Sequence, residues 1–164
     1  MCGICGIINK TLPVNRGILE EMTKTLSHRG PDNSDSFVHG RVGLGHTRLS
    51  VIDLSQDGNQ PMFDASGNLS IVYNGEIYNF QFLRKELEKD NVRFNSNTDT
   101  EVILYMYQKY GVDCLQHLKG MFAFAIWDER EEKLFIARDR MGQKPLVYAE
   151  TNEGFLFSSE INAL

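Results

Sequence analysis

The residues best placed to do chemistry stand at the start of the chain, in Met1-Cys2-Gly3-Ile4-Cys5-Gly6. Removal of Met1, which a small residue at position 2 permits, makes Cys2 the amino terminus. One residue then carries a thiol nucleophile and a free α-amine able to act as its base, the pairing that covalent catalysis uses. An α-amine titrates near ~7.7–8.0 and a free thiol near ~8.5, so near-neutral pH leaves some of each in its reactive form. Such a nucleophile also needs donors for a developing oxyanion and charged groups to hold a substrate.

The same cysteines admit other chemistry. Cys2 and Cys5 form a Cys-x-x-Cys pair, the spacing of a redox couple or of half a zinc site. Zinc requires four ligands, and only Cys114 and four scattered histidines remain, with no His-x-x-x-His pair. A redox pair normally sits between a strand and a helix, whereas Gly6-Ile7-Ile8-Asn9 continues an apolar, strand-like run. Taken alone, the stretch reads most simply as a buried first strand with two ordinary cysteines.

Three further stretches can complete a site. Asn74-Gly75 follows the apolar run Leu69–Tyr73 and is most simply a turn. It can also present an amide and a backbone N–H side by side, two donors converging on one point. Arg48 opens Arg48-Leu49-Ser50-Val51-Ile52-Asp53, in which Leu49, Val51 and Ile52 are expected to enter a core. An arginine there needs an anionic partner, an internal carboxylate or a ligand, because an unpaired buried charge is costly. Asp99 lies just after Thr98, which has capping-box spacing to Glu101. A carboxylate in that first turn is favoured by the helix dipole whatever else it does. His28-Arg29-Gly30-Pro31-Asp32 is a turn expected to pack beside the site rather than to bind a ligand.

The elements that must position these residues follow from patterning. At 164 residues, 41% hydrophobic and 24% charged, the chain suits one globular domain burying roughly 70% of its unfolded surface. A net charge of −5 offers nothing to attract nucleic acid or an anionic membrane. No apolar run approaches the ~20 residues of a membrane span, and the amino terminus lacks the pattern of a signal peptide. Three cysteines do not suggest a disulfide framework, which points to the cytoplasm. Asn15 caps a helix through about Ser27 with Ile18, Leu19, Met22 and Leu26 inward; residues 80–89 form another, with Phe82, Leu83 and Leu87 inward. A third runs from Thr98 to about Tyr110. Strands are expected at 2–9, 36–39, 42–46, 69–73, 92–94, 121–128, 133–137, 146–150 and 154–158, with a hairpin turn at Asp64–Asn68. Runs of strands with segregated helices indicate an α+β fold rather than alternating βαβ units.

Taken in order, the motifs resemble one family. Met1-Cys2-Gly3-Ile4-Cys5-Gly6, Arg29-Gly30-Pro31-Asp32, Arg48-Leu49-Ser50, Asn74-Gly75-Glu76-Ile77-Tyr78-Asn79, Asp99-Thr100-Glu101 and Gly120-Met121-Phe122-Ala123-Phe124 are similar to the class II glutamine amidotransferase domain. More narrowly they resemble the amino-terminal glutaminase domain of glutamine-hydrolysing asparagine synthetases. Ala137-Arg138-Asp139-Arg140-Met141-Gly142 and the closing Ser158–Leu164 resemble that family's approach to its second domain. Each motif alone is weak; the ordered set spans essentially the whole chain.

The resemblance implies an N-terminal-nucleophile fold, a four-layer αββα sandwich of two antiparallel sheets flanked by helices. It implies hydrolysis of L-glutamine to glutamate and ammonia, with Cys2 as nucleophile and Asn74 and Gly75 as oxyanion donors. Arg48 would grip the substrate carboxylate, Glu76 and Asp99 its ammonium, and Leu49, Ser50, Val51 and Ile52 would line the pocket. It implies no cofactor and no metal for residues 1–164. ATP and Mg belong to a synthetase domain normally in the same chain, whose Ser-Gly-Gly-x-Asp-Ser loop does not occur here. A homodimer, a different ammonia acceptor and a non-catalytic docking module of the same fold stay open.

Overall fold

The computed structural model describes all of residues 1–164. In chain order the elements are β1 (Gly3–Asn9), α1 (Arg16–Thr25), β2 (Asn33–His39), β3 (Val42–Arg48), β4 (Met62–Phe63), β5 (Leu69–Ile77), α2 (Phe80–Lys89), α3 (Asp99–Tyr110), β6 (Gly120–Asp128), β7 (Lys133–Arg138), β8 (Val147–Glu150) and β9 (Gly154–Ser158). Two antiparallel sheets form, ordered β2-β3-β1-β9-β8 and β4-β5-β6-β7. Helix α1 packs on the first sheet, and α3, carrying α2, packs on the second, so the layers run αββα.

Side-chain alternation along each strand sorts residues between layers. Ile4, Val42, Leu44, Val72, Ala123, Ala125, Trp127 and Phe157 meet between the sheets. The opposite faces of β5 and β6 send Ile71, Tyr73, Phe122, Phe124 and Ile126 against Val102, Ile103 and Met106 of α3. Cys5 and Ile7 face α1, packing on Leu19 and Leu26. The narrow Ala123 and Ala125 let the sheets approach, while the aromatic residues fill the wider gap beneath the helices.

Local signals account for the helix starts. Asn15 Oδ1 accepts the Gly17 and Ile18 N–H groups at 2.9 and 3.4 Å, as its cap position predicts. Thr98 Oγ1 accepts the Glu101 N–H at 3.3 Å. The reciprocal half of the capping box does not form. The Glu101 carboxylate turns instead to the Asn95 and Ser96 N–H groups and the Ser96 hydroxyl, fixing the lead-in loop.

Four expectations are corrected. Residues 92–94 form no strand and run as coil between α2 and α3. Ile18 and Phe82 are 55% and 64% exposed, because each lies at the edge of its helix's apolar stripe, beyond the sheet's reach. Leu49, Val51 and Ile52 are exposed rather than in a core, Val51 at 74%, since the chain leaves β3 at Arg48 and loops outward. Asn74-Gly75 is no turn: β5 continues to Ile77, paired residue for residue with β6.

The turn after β7 is gathered by one carboxylate. Asp139 accepts N–H groups from Phe122, Met141, Gln143 and Lys144 at 2.9–3.2 Å. Burial alone would raise its pKa, but these four donors outweigh it and hold the carboxyl below its ordinary value. A lowered folded-state pKa stabilises above the ordinary carboxylate value near ~3.9 and is lost as pH falls through the lowered one. Asp139→Asn is therefore expected to lower the thermal midpoint at about pH 7, with the gap from wild type closing as pH falls through the lowered carboxyl value. Unfolding followed by circular dichroism across pH checks this.

Candidate active site

Cys2 stands just before β1, the central strand of its sheet. β1 pairs with β3 on one side, Gly3 opposite Thr47, and with β9 on the other, Cys5 opposite Ser158. Arg29 then fixes the residue before the strand: its Nε donates to the Cys2 carbonyl at 3.0 Å, and its Nη1 to Glu160 Oε1 at 2.6 Å. That hydrogen bond is the main cause holding the Glu160 carboxyl below its ordinary value. The turn at His28–Asp32 thus packs beside the site, as expected, and supports the nucleophile's backbone. The Cys2 thiol faces Leu49, whose N–H approaches Sγ at 3.4 Å and can support a thiolate.

Alternation along β1 sends Cys2 and Cys5 to opposite faces, which removes the redox and zinc pairings. Cys5 lies under α1 beside the Thr23 hydroxyl, 3.4 Å away, and burial pushes its thiol up to about 11. Cys114, in a 3-10 turn rather than a regular helix, is pushed up to about 12 by burial. No cluster of three or more His, Cys, Asp or Glu side chains is grouped to hold a metal. His46 is wholly buried, neither ring nitrogen has a partner, and desolvation lowers it to about 3. It is therefore neutral and a very weak base.

Cys2 opens onto a cavity of about 170 Å³ lined by Arg48, Leu49, Val51, Ile52, Asn74, Gly75, Glu76 and Asp99, all anticipated from sequence. Ser50 is not in the lining; its N–H is held by Asp32 Oδ2 at 2.8 Å. Among the lining residues that sequence reasoning did not assign to the site are Tyr73, Gln60, Thr100, Met121 and Lys144. Only Tyr73 carried a usable signal, through its place beside Asn74.

The edge of β5 explains the corner that holds Asn74 and Gly75. β4 is only two residues long, pairing Met62 with Ile71 and Phe63 with Ser70, so β5 has no strand neighbour beyond that point. Its edge N–H groups find side chains: Tyr73 N donates to Gln60 Oε1 at 2.6 Å and Ile77 N to Asp99 Oδ2 at 2.9 Å. Antiparallel alternation turns the Gly75 N–H, midway between them, to the same open edge. Gly75 can only be glycine here, since a Cβ would lie 2.4 Å from the Met121 carbonyl and 2.6 Å from the Tyr73 ring. Asn74 is 2% exposed and its Nδ2 has no hydrogen-bond partner. A buried orphan donor costs about 1–3 kcal/mol, a cost a ligand oxygen can relieve.

Charges of both signs line the cavity. Arg48 donates through Nη1 to Ser55 O at 2.6 Å and Asn59 Oδ1 at 2.8 Å, and through Nη2 to the Asp53 carbonyl. All three acceptors are neutral oxygens, and Nε–H makes no protein bond. Gly58 allows this, because a Cβ there would strike the guanidinium. Glu76 is exposed, lines the cavity and pairs with no cation. Asp99 is buried and accepts the Tyr73 hydroxyl at 2.6 Å; burial raises its pKa against the hydrogen bonds that lower it. Met1 is half-exposed over the opening, its thioether receiving Lys144 Nζ at 3.5 Å.

The sequence profile described as "Glutamine amidotransferase domain" matches residues 1–164. The chain belongs to this family. It is 45% identical over 168 residues to asparagine synthetase [glutamine-hydrolyzing] 3 of Bacillus subtilis, covering 100% of this chain and 27% of that protein. It is 39% identical to asparagine synthetase B [glutamine-hydrolyzing] of Escherichia coli, covering 100% of this chain and 30% of that one. The chain thus spans between a quarter and a third of the length of these relatives. In fold it is similar to glutamine phosphoribosylpyrophosphate amidotransferase of B. subtilis, with a TM-score of 0.80 at 22% identity over 99% of this chain and 42% of that one. The fold is the α+β, four-layer αββα sandwich expected from the motifs.

Thiol reactivity tests the geometry. An alkylating reagent at about pH 8 is expected to modify Cys2 in the folded protein and leave Cys5 and Cys114 intact, with all three reacting once the chain is unfolded. Peptide mass mapping after a timed quench distinguishes the sites.

Proposed function

We propose that, after removal of Met1, this amidotransferase domain hydrolyses L-glutamine to glutamate and ammonia through a Cys2 thioester. The observation that carries this reading is the unpartnered Asn74 Nδ2 beside the open Gly75 N–H, in the same cavity as the Cys2 thiol. Two donors without ligands, next to a nucleophile, suit an oxyanion that exists only during reaction.

Cys2 Sγ attacks the side-chain amide carbonyl, and the oxyanion settles between Asn74 and Gly75. The Cys2 α-amine takes the thiol proton, directly or through a water, and returns it to the amide nitrogen. The C–N bond breaks and ammonia leaves. Water then attacks the thioester, releasing glutamate and restoring the thiol. His46 cannot take the base's role, being neutral, very weakly basic and outside the cavity lining. At the other end, Arg48 offers Nε–H to the substrate α-carboxylate, while Glu76 and Asp99 receive the α-ammonium.

The named relatives support asparagine synthesis from aspartate as the destination of the ammonia, in an ATP- and Mg-dependent synthetase domain accompanying this one. The glutaminase step needs neither cofactor. The cytoplasm suits a mechanism that depends on a reduced thiol.

Ammonia release from glutamine by Met-processed protein is expected, with none from Cys2→Ala. Asn74→Ala is expected to lower kcat by about 10²–10³ with a smaller change in KM. Intact-mass detection of Met1 throughout an active preparation would overturn the terminal-amine mechanism.

A further inference from the structure

Tyr73 touches both ends of the cavity. Its ring lies against Gly75, where a Cβ would come within 2.6 Å of Cε2. Its hydroxyl reaches Asp99 Oδ2 at 2.6 Å. The side chain is 3% exposed, and its backbone N–H is held by Gln60 Oε1 at 2.6 Å. Gln60 is itself tied to the Thr100 hydroxyl at 3.3 Å, so strand and helix fix the tyrosine together.

Asp99 sits buried at the first residue of α3, its carboxylate supported by backbone N–H groups there and by the Tyr73 hydroxyl. Two donors converge on one of its oxygens, the Tyr73 hydroxyl and the Ile77 N–H at 2.9 Å, and no side chain donates to the other. We propose that Tyr73 is a positioning residue for the ammonium end of the site, its hydroxyl holding Asp99 Oδ2 so that Oδ1 is the oxygen presented to the substrate's α-ammonium. The assignment rests on the glutaminase reading and deepens it. Tyr73 acts through Asp99 and takes no part in bond breaking. A hydrogen bond to a charged group that fixes its direction is worth more than a neutral one, and the tether also favours the ionised carboxylate against its burial.

The test compares L-glutamine with glutaramate, the same molecule without its α-amino group, on the intact protein. Tyr73→Phe keeps the ring against Gly75 and removes only the hydroxyl. It is expected to raise KM for glutamine about 10-fold with kcat changed less than about 2-fold, and to leave kcat/KM for glutaramate within about 2-fold. In an Asp99→Asn background the same change is expected to cost less than about 2-fold for glutamine, because the partner it acts through is gone. Equal losses on both substrates would make the hydroxyl a general support of the cavity and overturn the assignment. So would an unchanged glutamine KM, full additivity with Asp99→Asn, or a Tyr73→Phe protein that no longer folds. A wild type that does not hydrolyse glutamine overturns the function itself, and this assignment with it.

Discussion

The position of Cys2 depends on a strand hydrogen-bonded along both edges. β1 runs between β3 and β9, and its end is tied again by Ile4, whose N–H donates to Ser159 Oγ at 3.0 Å and whose carbonyl accepts the Ser159 N–H at 2.8 Å. A strand so placed has no unpaired ladder along which to slip, and slipping by one residue would send Cys2 to the other face. Arg29 extends the constraint one residue beyond the strand, linking the Cys2 carbonyl to Glu160. Residues 2, 29 and 160 are thereby held as one unit. A site whose reacting atom is placed by a ladder is held more narrowly than one placed by a loop.

The facing sheet does the opposite. β5 is paired along only one edge beyond Ile71, and the exposed edge becomes the working surface. Backbone N–H groups on an open edge must find partners. Gln60 and Asp99 satisfy two of them, and the Gly75 N–H between them faces the same open edge. The Asn74 amide adds a second unmet donor. Unsatisfied buried polar groups are destabilising in a scaffold and useful where charge develops during a reaction. Their adjacency to the thiol is what distinguishes this cavity from the other depressions on the surface.

Arg48 joins the two regimes. It ends β3 opposite the start of β1, yet its guanidinium spends three hydrogen bonds shaping residues 53–59. It therefore both builds the cavity wall and charges it. The segment leading into that loop carries Leu49, Val51 and Ile52 outward at the cavity mouth. An apolar pattern there has the composition of a core segment and the placement of a rim.

Residue types and their order were enough to establish the layered α+β architecture, the helix caps at Asn15 and Thr98, and the cavity residues Cys2, Arg48, Asn74, Gly75, Glu76 and Asp99, because capping, alternation and motif order are local or ordinal properties. The placement of Leu49, Val51, Ile52, Ile18 and Phe82 was not legible. Apolar character says that a side chain gains by burial, whereas the available surface depends on where the sheets end. Gln60 and Lys144 were missed for the same reason: each reaches the cavity through contacts between segments distant in sequence. Sequence alone singled out a thiol, an amide and charges of both signs. The tertiary structure decided that Asn74-Gly75 is an open strand edge rather than a turn, because β4 begins only at Met62 and no strand lies beside β5 beyond Ile71.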